Sequence, residues 1–111
     1  MSGKFELKQA KNGTYMFNLK ATNGQIILTG EMYKEKSEAE NAIAATRENA
    51  ARDASFETRT NSRGEPYFVL NAADGTKLGH SEYYSSKTAM DNGIASVKKN
   101  APDAKVEDTT A

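Results

Sequence analysis

Two sets of polar residues occur at the same spacing in the two halves of the chain. They are Glu31, Tyr33 and Lys36 and, 51 residues later, Glu82, Tyr84 and Lys87. A carboxylate, a phenol and an amine could together hold a small ligand, and a lysine near a helix N-terminus could hold an anion. The same residues could be structural, because a tyrosine ring can pack beneath a loop while a lysine head stays in water. We favour the structural interpretation and keep both sets as candidate binding residues.

The sequence offers little else for catalysis or metal binding. It has no cysteine and a single histidine, His80, which stands where the first half has Thr29. A lone histidine on a strand is more often a solvated side chain than a catalyst, and it cannot form a zinc site alone. The sequence contains no phosphate-binding loop and no G-x-G-x-x-G pattern after a strand. We therefore expect no catalytic residue, no metal and no cofactor, and we lean away from an enzyme.

The composition narrows the classes of partner. The 111 residues include 15 basic and 15 acidic ones, so the net charge is zero. This balance argues against strong binding to nucleic acid or to an anionic membrane. No apolar run approaches membrane-spanning length, no secretion signal is recognisable, and the absence of cysteine fits a reducing compartment. We expect a soluble cytoplasmic monomer, with a dimer as the alternative, whose partner is an unknown protein or small ligand.

The whole sequence, and not only its polar sets, is duplicated. A shift of 51 aligns residues 4–50 with 55–101 without a gap, and 15 of the 47 aligned positions are identical. Unrelated sequences of ordinary composition would share about three. One copy is too small to bury a stable core, so the two copies are expected to share one. We expect a single domain, residues 1–111, made of the repeats 4–53 and 54–108.

Each repeat has the pattern of three strands followed by a helix. Residues 4–10 alternate between apolar and polar, as in a half-buried strand. Gly13 and the Asn23-Gly24 pair mark the turns of hairpins, and Pro66 stands where a strand begins. Residues 103–108 predict a last strand. Its counterpart after the first helix starts near Asp53 and runs directly into the second repeat, so one continuous strand could serve both repeats.

The period then changes to that of an amphipathic helix. Ser37 and Glu40 have the spacing of a capping box, and a weaker version begins at Thr88. Asn49 and Asn100 suit the C-terminal caps of the two helices. The apolar stripe of each helix consists mostly of small residues, so each helix should lie close to a sheet.

With this arrangement, the sequence resembles the YegP-like family of small bacterial proteins. The resemblance rests on the pattern FEL…NGTYMFNLKATNG…Y…K…A…I…N-A, which occurs twice and covers essentially the whole chain. It implies two β3-α-β repeats in one sheet with their last strands exchanged, and no catalytic residue, since the family has no established activity. Together with the patterns above, it predicts an α+β fold: one largely antiparallel sheet, two helices packed on one face, and pseudo-two-fold symmetry.

Three functions are compatible with these observations. We favour a non-enzymatic binding or interaction module of unassigned ligand. The first alternative is a small-ligand protein or enzyme that uses the repeated Glu/Tyr/Lys sets, which would need a deep pocket there. The lesser alternative is a weak nucleic-acid binder through the sheet face that no helix covers. That face is expected to carry Lys8, Lys20, Arg59 and Tyr67.

Overall fold

One seven-stranded sheet and two α-helices make up the structure, a computed structural model that describes residues 3–110. The elements are β1 (Lys4–Gln9), β2 (Tyr15–Lys20), β3 (Ile26–Gly30), α1 (Lys36–Asn49), β4 (Phe56–Thr60), β5 (Pro66–Asn71), β6 (Lys77–His80), α2 (Lys87–Asn100) and β7 (Lys105–Asp108). Short 3-10 turns, Asp53–Ser55 and Ala101–Asp103, precede β4 and β7. Between residues 3 and 110, no helix is long and apolar enough to cross a membrane.

The order of the strands places the two repeats side by side. Across the sheet it is β4-β5-β6-β3-β2-β1-β7. Every neighbouring pair is antiparallel except β1 and β7, which are parallel. The repeats meet at β3 and β6, where Thr29 pairs with His80 and Gly30 with Gly79. The sheet and the duplicated topology confirm the predicted α+β fold and its pseudo-two-fold symmetry.

The strand that follows each helix crosses to the other repeat. β7 lies beside β1, with Lys4 opposite Lys105 and Leu7 opposite Asp108. β4 follows α1 but pairs with β5, so it ends one repeat and begins the next, as the sequence predicts. The exchange leaves unequal edges, because β1 has β7 outside it whereas β4 is itself the outermost strand.

The hairpin turns depend on a glycine in the left-handed region. At the β2–β3 turn, Gly24 has a φ of 83° and donates a hydrogen bond to the carbonyl of Ala21, whose own N–H donates to Gln25. Gly13, Gly64 and Gly75 have similar positive φ values at the other hairpins, as predicted for Gly13. No other residue type between 3 and 110 has a positive φ. The turns are therefore longer than a two-residue type I′ turn, which needs two such residues.

The core lies between one face of the sheet and the two helices. Its largest fully buried side chains come mostly from the strands: Phe5, Phe17, Phe68, Leu7, Leu19, Leu28 and Leu70. The ring of Phe5 packs edge-on against Phe17 at 5.8 Å, and the equivalent rings of Phe56 and Phe68 do the same at 5.7 Å. The helices contribute small buried residues such as Ala39 and Ala42, as the narrow stripes predict.

The two helices begin two residues earlier than the predicted capping boxes at Ser37 and Thr88. The N-cap residue of α1 is Glu35, whose N–H donates to the Glu38 carboxylate at 3.1 Å. The N-cap residue of α2 is Ser86, whose hydroxyl accepts from the N–H of Ala89 at 3.1 Å. The reason is that backbone bonds still hold Tyr33 to β2, so the chain leaves the sheet there and turns into α1 almost at once.

The prediction that Asn49 and Asn100 are C-caps is also wrong. Both residues belong to the last helical turn, and the caps are Ala50 and Ala101 in right-handed conformation. The buried side chain of Asn100 accepts a hydrogen bond from the N–H of Gly3 at 2.8 Å. That of Asn49 lies 3.5 Å from the Ser55 hydroxyl. Each asparagine thus ties the end of a helix to the start of a strand.

Candidate functional site

The helix-free face of the sheet carries one row of side chains across all seven strands. From one edge to the other, strand pairing sets the row as Glu57, Val69, His80, Thr29, Asn18, Glu6 and Glu107. Residues 51 apart stand at equal distances from the centre, as His80 and Thr29 do. The duplication therefore builds a surface with two related halves, and the sites where the repeats differ make those halves chemically unequal.

The three cations predicted for this face, Lys8, Lys20 and Arg59, are each paired with a carboxylate. Glu6 lies 3.2 Å from Lys8 and 3.2 Å from Lys20. Burial alone raises the pKa of Glu6, but the hydrogen bonds from Lys20 and Lys8 outweigh it and hold that pKa below its usual value. Arg59 lies 2.8 Å from Glu57, and its hydrogen bond lowers the pKa of that exposed carboxyl. The basic residues expected here are thus largely neutralised by their neighbours.

A groove opens at the centre of the face. β3 and β6 pair over only two residues and then separate, which leaves a groove of about 410 Å³. Its lining consists of Ile26, Leu28, Thr29, His80, Ser81, Glu82 and Tyr83. Ile26 is 41% exposed and Tyr83 is 58% exposed, and the Tyr83 ring meets that of Tyr67 edge-on at 5.3 Å. An apolar wall with aromatic side chains therefore faces solvent in the middle of a charged surface.

The two tyrosines of the repeated sets pack against the core. Tyr33 forms two backbone hydrogen bonds with Tyr15, while Tyr84 donates one to Pro66, which has no N–H to return. The ring of Tyr84 stacks on that of Phe68 at 6.2 Å. Burial raises the pKa of both Tyr33 and Tyr84, so each phenol is neutral near pH 7.

The acidic and basic members of the first set point to different places. Glu31 reaches β6, where its carboxylate lies 3.6 Å from Nδ1 of His80 and 3.9 Å from Nζ of Lys77. Lys36 reaches the outer edge of the sheet, where its Nζ lies 2.6 Å from the carboxylate of Asp108 in β7. The hydrogen bond with Asp108 raises the pKa of Lys36, which keeps the amine charged rather than nucleophilic.

The second set diverges in the same way. Glu82 lines the central groove, whereas Lys87 lines a separate groove beside β4, together with Arg59 and Met90. No single pocket described between residues 3 and 110 brings glutamate, tyrosine and lysine of either set together. In the same part of the chain, no cluster of three or more acidic or histidine side chains could hold a metal ion. Ligand binding at the two sets stays a prediction.

Sequence reasoning missed the apolar side of the groove. Ile26 and Tyr83 stand where the other repeat has Lys77 and Met32, so a search for identical positions passes over them. Tyr67, whose ring meets that of Tyr83, was predicted for this face. Ile26 and Tyr83 could have been found by searching for positions at which one repeat has an apolar residue near a strand end and the other repeat has a different residue.

The row of paired side chains and the exchanged strands characterise a duplicated fold that other proteins share. The family described as "Domain of unknown function (DUF1508)" matches residues 10–57 and again residues 61–108. The chain belongs to this family. Each DUF1508 match includes most of one repeat, which confirms the predicted resemblance to YegP-like proteins.

Bacterial relatives of this DUF1508 chain match it over nearly their whole length. It is 51% identical over 108 residues to the UPF0339 protein YegP of Yersinia pestis, covering 97% of this chain and 96% of that relative. A UPF0339 protein of Mannheimia succiniciproducens is 50% identical with the same coverage. These relatives have no assigned function, so they supply a family and no activity.

Solved structures show the same fold. The solution structure of YegP from E. coli, a protein of unknown function, matches with a TM-score of 0.94 at 40% identity, covering 100% of this chain and 96% of that one. The solution structure of a UPF0339 protein from Shewanella oneidensis also gives 0.94, at 41% identity and with coverage of 99% and 93%. These two solved structures thus share the fold of this chain.

Proposed function

We propose that the chain is a non-enzymatic interaction module that binds a protein partner through the helix-free face of its sheet. The observation that carries the proposal is the central groove, where Ile26 and Tyr83 expose apolar and aromatic surface. Protein interfaces are enriched in aromatic side chains at their centre and carry a polar rim. Here His80 lines the groove, and the carboxylate of Glu31, which pairs with Lys77, lies 3.6 Å from His80. A cytoplasmic location, which the absence of cysteine supports, is part of the proposal.

The alternatives have less support. An enzyme that used the repeated sets would need the carboxylate, phenol and amine to converge, yet Glu31 and Lys36 reach different strands. A nucleic-acid binder would need cations available for phosphate, yet Lys8, Lys20 and Arg59 each contact a carboxylate. Interaction with protein requires neither condition.

A capture experiment from bacterial lysate tests the proposal. The full chain is immobilised, and bound proteins and nucleic acids are both identified by mass spectrometry and sequencing. We expect specific proteins that are lost with Ile26→Ser and Tyr83→Ser. Met32→Ser is the matched control, since Met32 is 51% exposed, stands at the position equivalent to Tyr83 and does not line the groove. Equal capture by all variants, or capture of nucleic acid alone, would contradict the proposal.

A further inference from the structure

The two outer edges of the sheet differ in what covers them. In the first repeat β7 lies against β1, and the side chains of Phe5–Leu7 are buried. The equivalent residues of β4, Phe56–Thr58, are half-buried or exposed, because no strand lies outside β4 among residues 3–110. The internal duplication therefore shows what an occupied edge looks like and leaves its counterpart open.

The backbone of β4 is oriented to accept another strand. On the occupied edge, the N–H of Thr109 donates to the carbonyl of Leu7 at 3.0 Å, so Leu7 turns its backbone groups toward β7. Thr58 is the residue equivalent to Leu7, and it stands opposite Phe68 of β5, whose carbonyl accepts a hydrogen bond from the N–H of Ser81 on the other side of that strand. Thr58 and Phe68 therefore form a non-hydrogen-bonded pair of the antiparallel ladder, and Thr58 presents its N–H and carbonyl outward. Such groups on an edge are a template for an added strand.

A cation and a groove lie beside this edge. The groove has a volume of about 320 Å³ and is lined by Thr58, Arg59, Thr60, Pro66, Lys87 and Met90. At the equivalent place in the first repeat, Lys36 holds the carboxylate of Asp108, a residue of the added strand. Between residues 3 and 110, no carboxylate lies within ion-pair distance of Lys87.

We propose that the β4 edge binds an extended acidic segment of a partner protein as an eighth, parallel strand, with a carboxylate of that segment on Lys87. The side chains of this segment are inferred from those of β7, in which Val106 stands opposite Phe5 and Asp108 opposite Leu7. The segment accordingly has an apolar residue opposite Phe56 and an acidic residue opposite Thr58. This inference goes beyond the proposed function, because it concerns the β4 edge and not the central groove.

The residue between those two positions is neutral in the proposed segment. Glu107 of β7 pairs with Lys4 at 3.0 Å, but the residue equivalent to Lys4 is Ser55. An acid at this position would also stand opposite Glu57, as Glu107 stands opposite Glu6. A second copy of the chain has no spare β7 to offer, because its own Lys36 and Lys4 already hold that strand.

The probe is a synthetic peptide with the sequence of residues 103–111 and the change Glu107→Thr, added to the full-length, 15N-labelled chain. We expect saturable shifts of the amide signals of Phe56, Thr58, Thr60 and Lys87. Lys87→Ala in the chain, or Asp108→Asn in the peptide, should weaken binding by about two- to fivefold, as for an exposed ion pair. Making both changes together should weaken peptide binding little more than either change alone. The control Lys99→Ala removes a cation of the same helix that does not line this groove, and it should leave peptide affinity unchanged.

A second variant tests the strand pairing itself. Thr58→Pro removes an outward N–H, which an edge strand tolerates, and it should abolish peptide binding while the fold persists. The proposal is overturned if millimolar peptide shifts no β4 amide, if Thr58→Pro binds as well as the wild type, or if Lys87→Ala and Asp108→Asn have no effect. Self-association of the unliganded chain that protects the β4 amides would identify a second copy as the occupant and would also overturn it.

Discussion

Nζ of Lys36 lies 2.6 Å from Oδ2 of Asp108, which joins the start of α1 to the last strand of the sheet. Lys87 is the same residue in the second repeat, yet it lines the groove beside the open edge of β4. The two equivalent lysines thus have different environments. The reason is that β7 lies outside β1, whereas no strand among residues 3–110 lies outside β4.

This difference predicts unequal effects on stability. Lys36→Ala should lower the thermal midpoint of unfolding, because it breaks the link between α1 and β7, whereas Lys87→Ala should leave the midpoint unchanged. The loss in Lys36→Ala should shrink in high salt, since the pair is exposed to solvent. Circular dichroism melts of the two variants, at low and high salt, make the comparison. Equal shifts for both lysines would contradict a stabilising role of the Lys36–Asp108 pair.

The two central phenylalanines should be equally important. Phe17 and Phe68 are both fully buried and stand 51 positions apart. Each change to alanine should reduce the free energy of unfolding by about 3–5 kcal/mol, the usual cost of emptying a buried phenylalanine site. Denaturant unfolding of both variants measures it. A loss below about 1 kcal/mol at either position, far under that range, would mean that the face of the strand is assigned wrongly.

The buried carboxylate of Glu6 should make stability depend on pH. Its pKa in the folded state is held low by Lys20 and Lys8, so its stabilising contribution is present above its unfolded pKa of about 4.3 and is lost as the pH falls through the lower folded value. Glu6→Gln should lower stability at neutral pH and flatten the acid limb of the curve. Unfolding by denaturant at a series of pH values down to about 3 reports both effects.

The control for this experiment is Glu57→Gln. Glu57 is the equivalent residue of the second repeat, but it is exposed and pairs with exposed Arg59. Its substitution should change the pH curve less, because exposed ion pairs contribute little. Wild type and Glu6→Gln curves that run parallel from neutral to acid pH would refute the role of Glu6.

A single repeat should not fold as a monomer. The fragment 1–53 lacks β6 and β7, which lie beside β3 and β1 in the whole sheet. Its sheet would have two open edges, and its helix would bury mainly small side chains such as Ala39, Ala42 and Thr46. We expect the fragment to be unfolded or to dimerise and so rebuild the pseudo-symmetric whole. Analytical ultracentrifugation with thermal unfolding tests this, and a cooperative transition in a monomer at every concentration would contradict it.

Much of the fold could be predicted from the sequence because it depends on local sequence patterns. The alternation in β1, the positive φ of Gly13 and the strand start at Pro66 are all local properties, and the structure has them. The helix ends were predicted less well. Asn100 resembles a cap in sequence, but its side chain binds Gly3, 97 positions away, and no local pattern can show such a partner.

The candidate site was harder to predict for the same reason. Identity between the repeats singled out Lys36, but it could not show that Asp108 neutralises this lysine. It also hid Ile26 and Tyr83, whose importance comes from the separation of β3 and β6 and from differences between the repeats. Register and strand order decide which residues meet, and both depend on contacts across the whole chain.

Photocrosslinking in living bacteria tests the proposed interaction most directly. The crosslinker p-benzoyl-phenylalanine is placed at position 83, in the central groove, and separately at position 32, its exposed equivalent outside that groove. We predict discrete crosslinked protein partners from position 83, lost when Ile26→Ser is added, and none of the same bands from position 32. Identical bands from both positions, or no crosslinked protein from position 83, would contradict the claim that the helix-free face is a protein-binding surface.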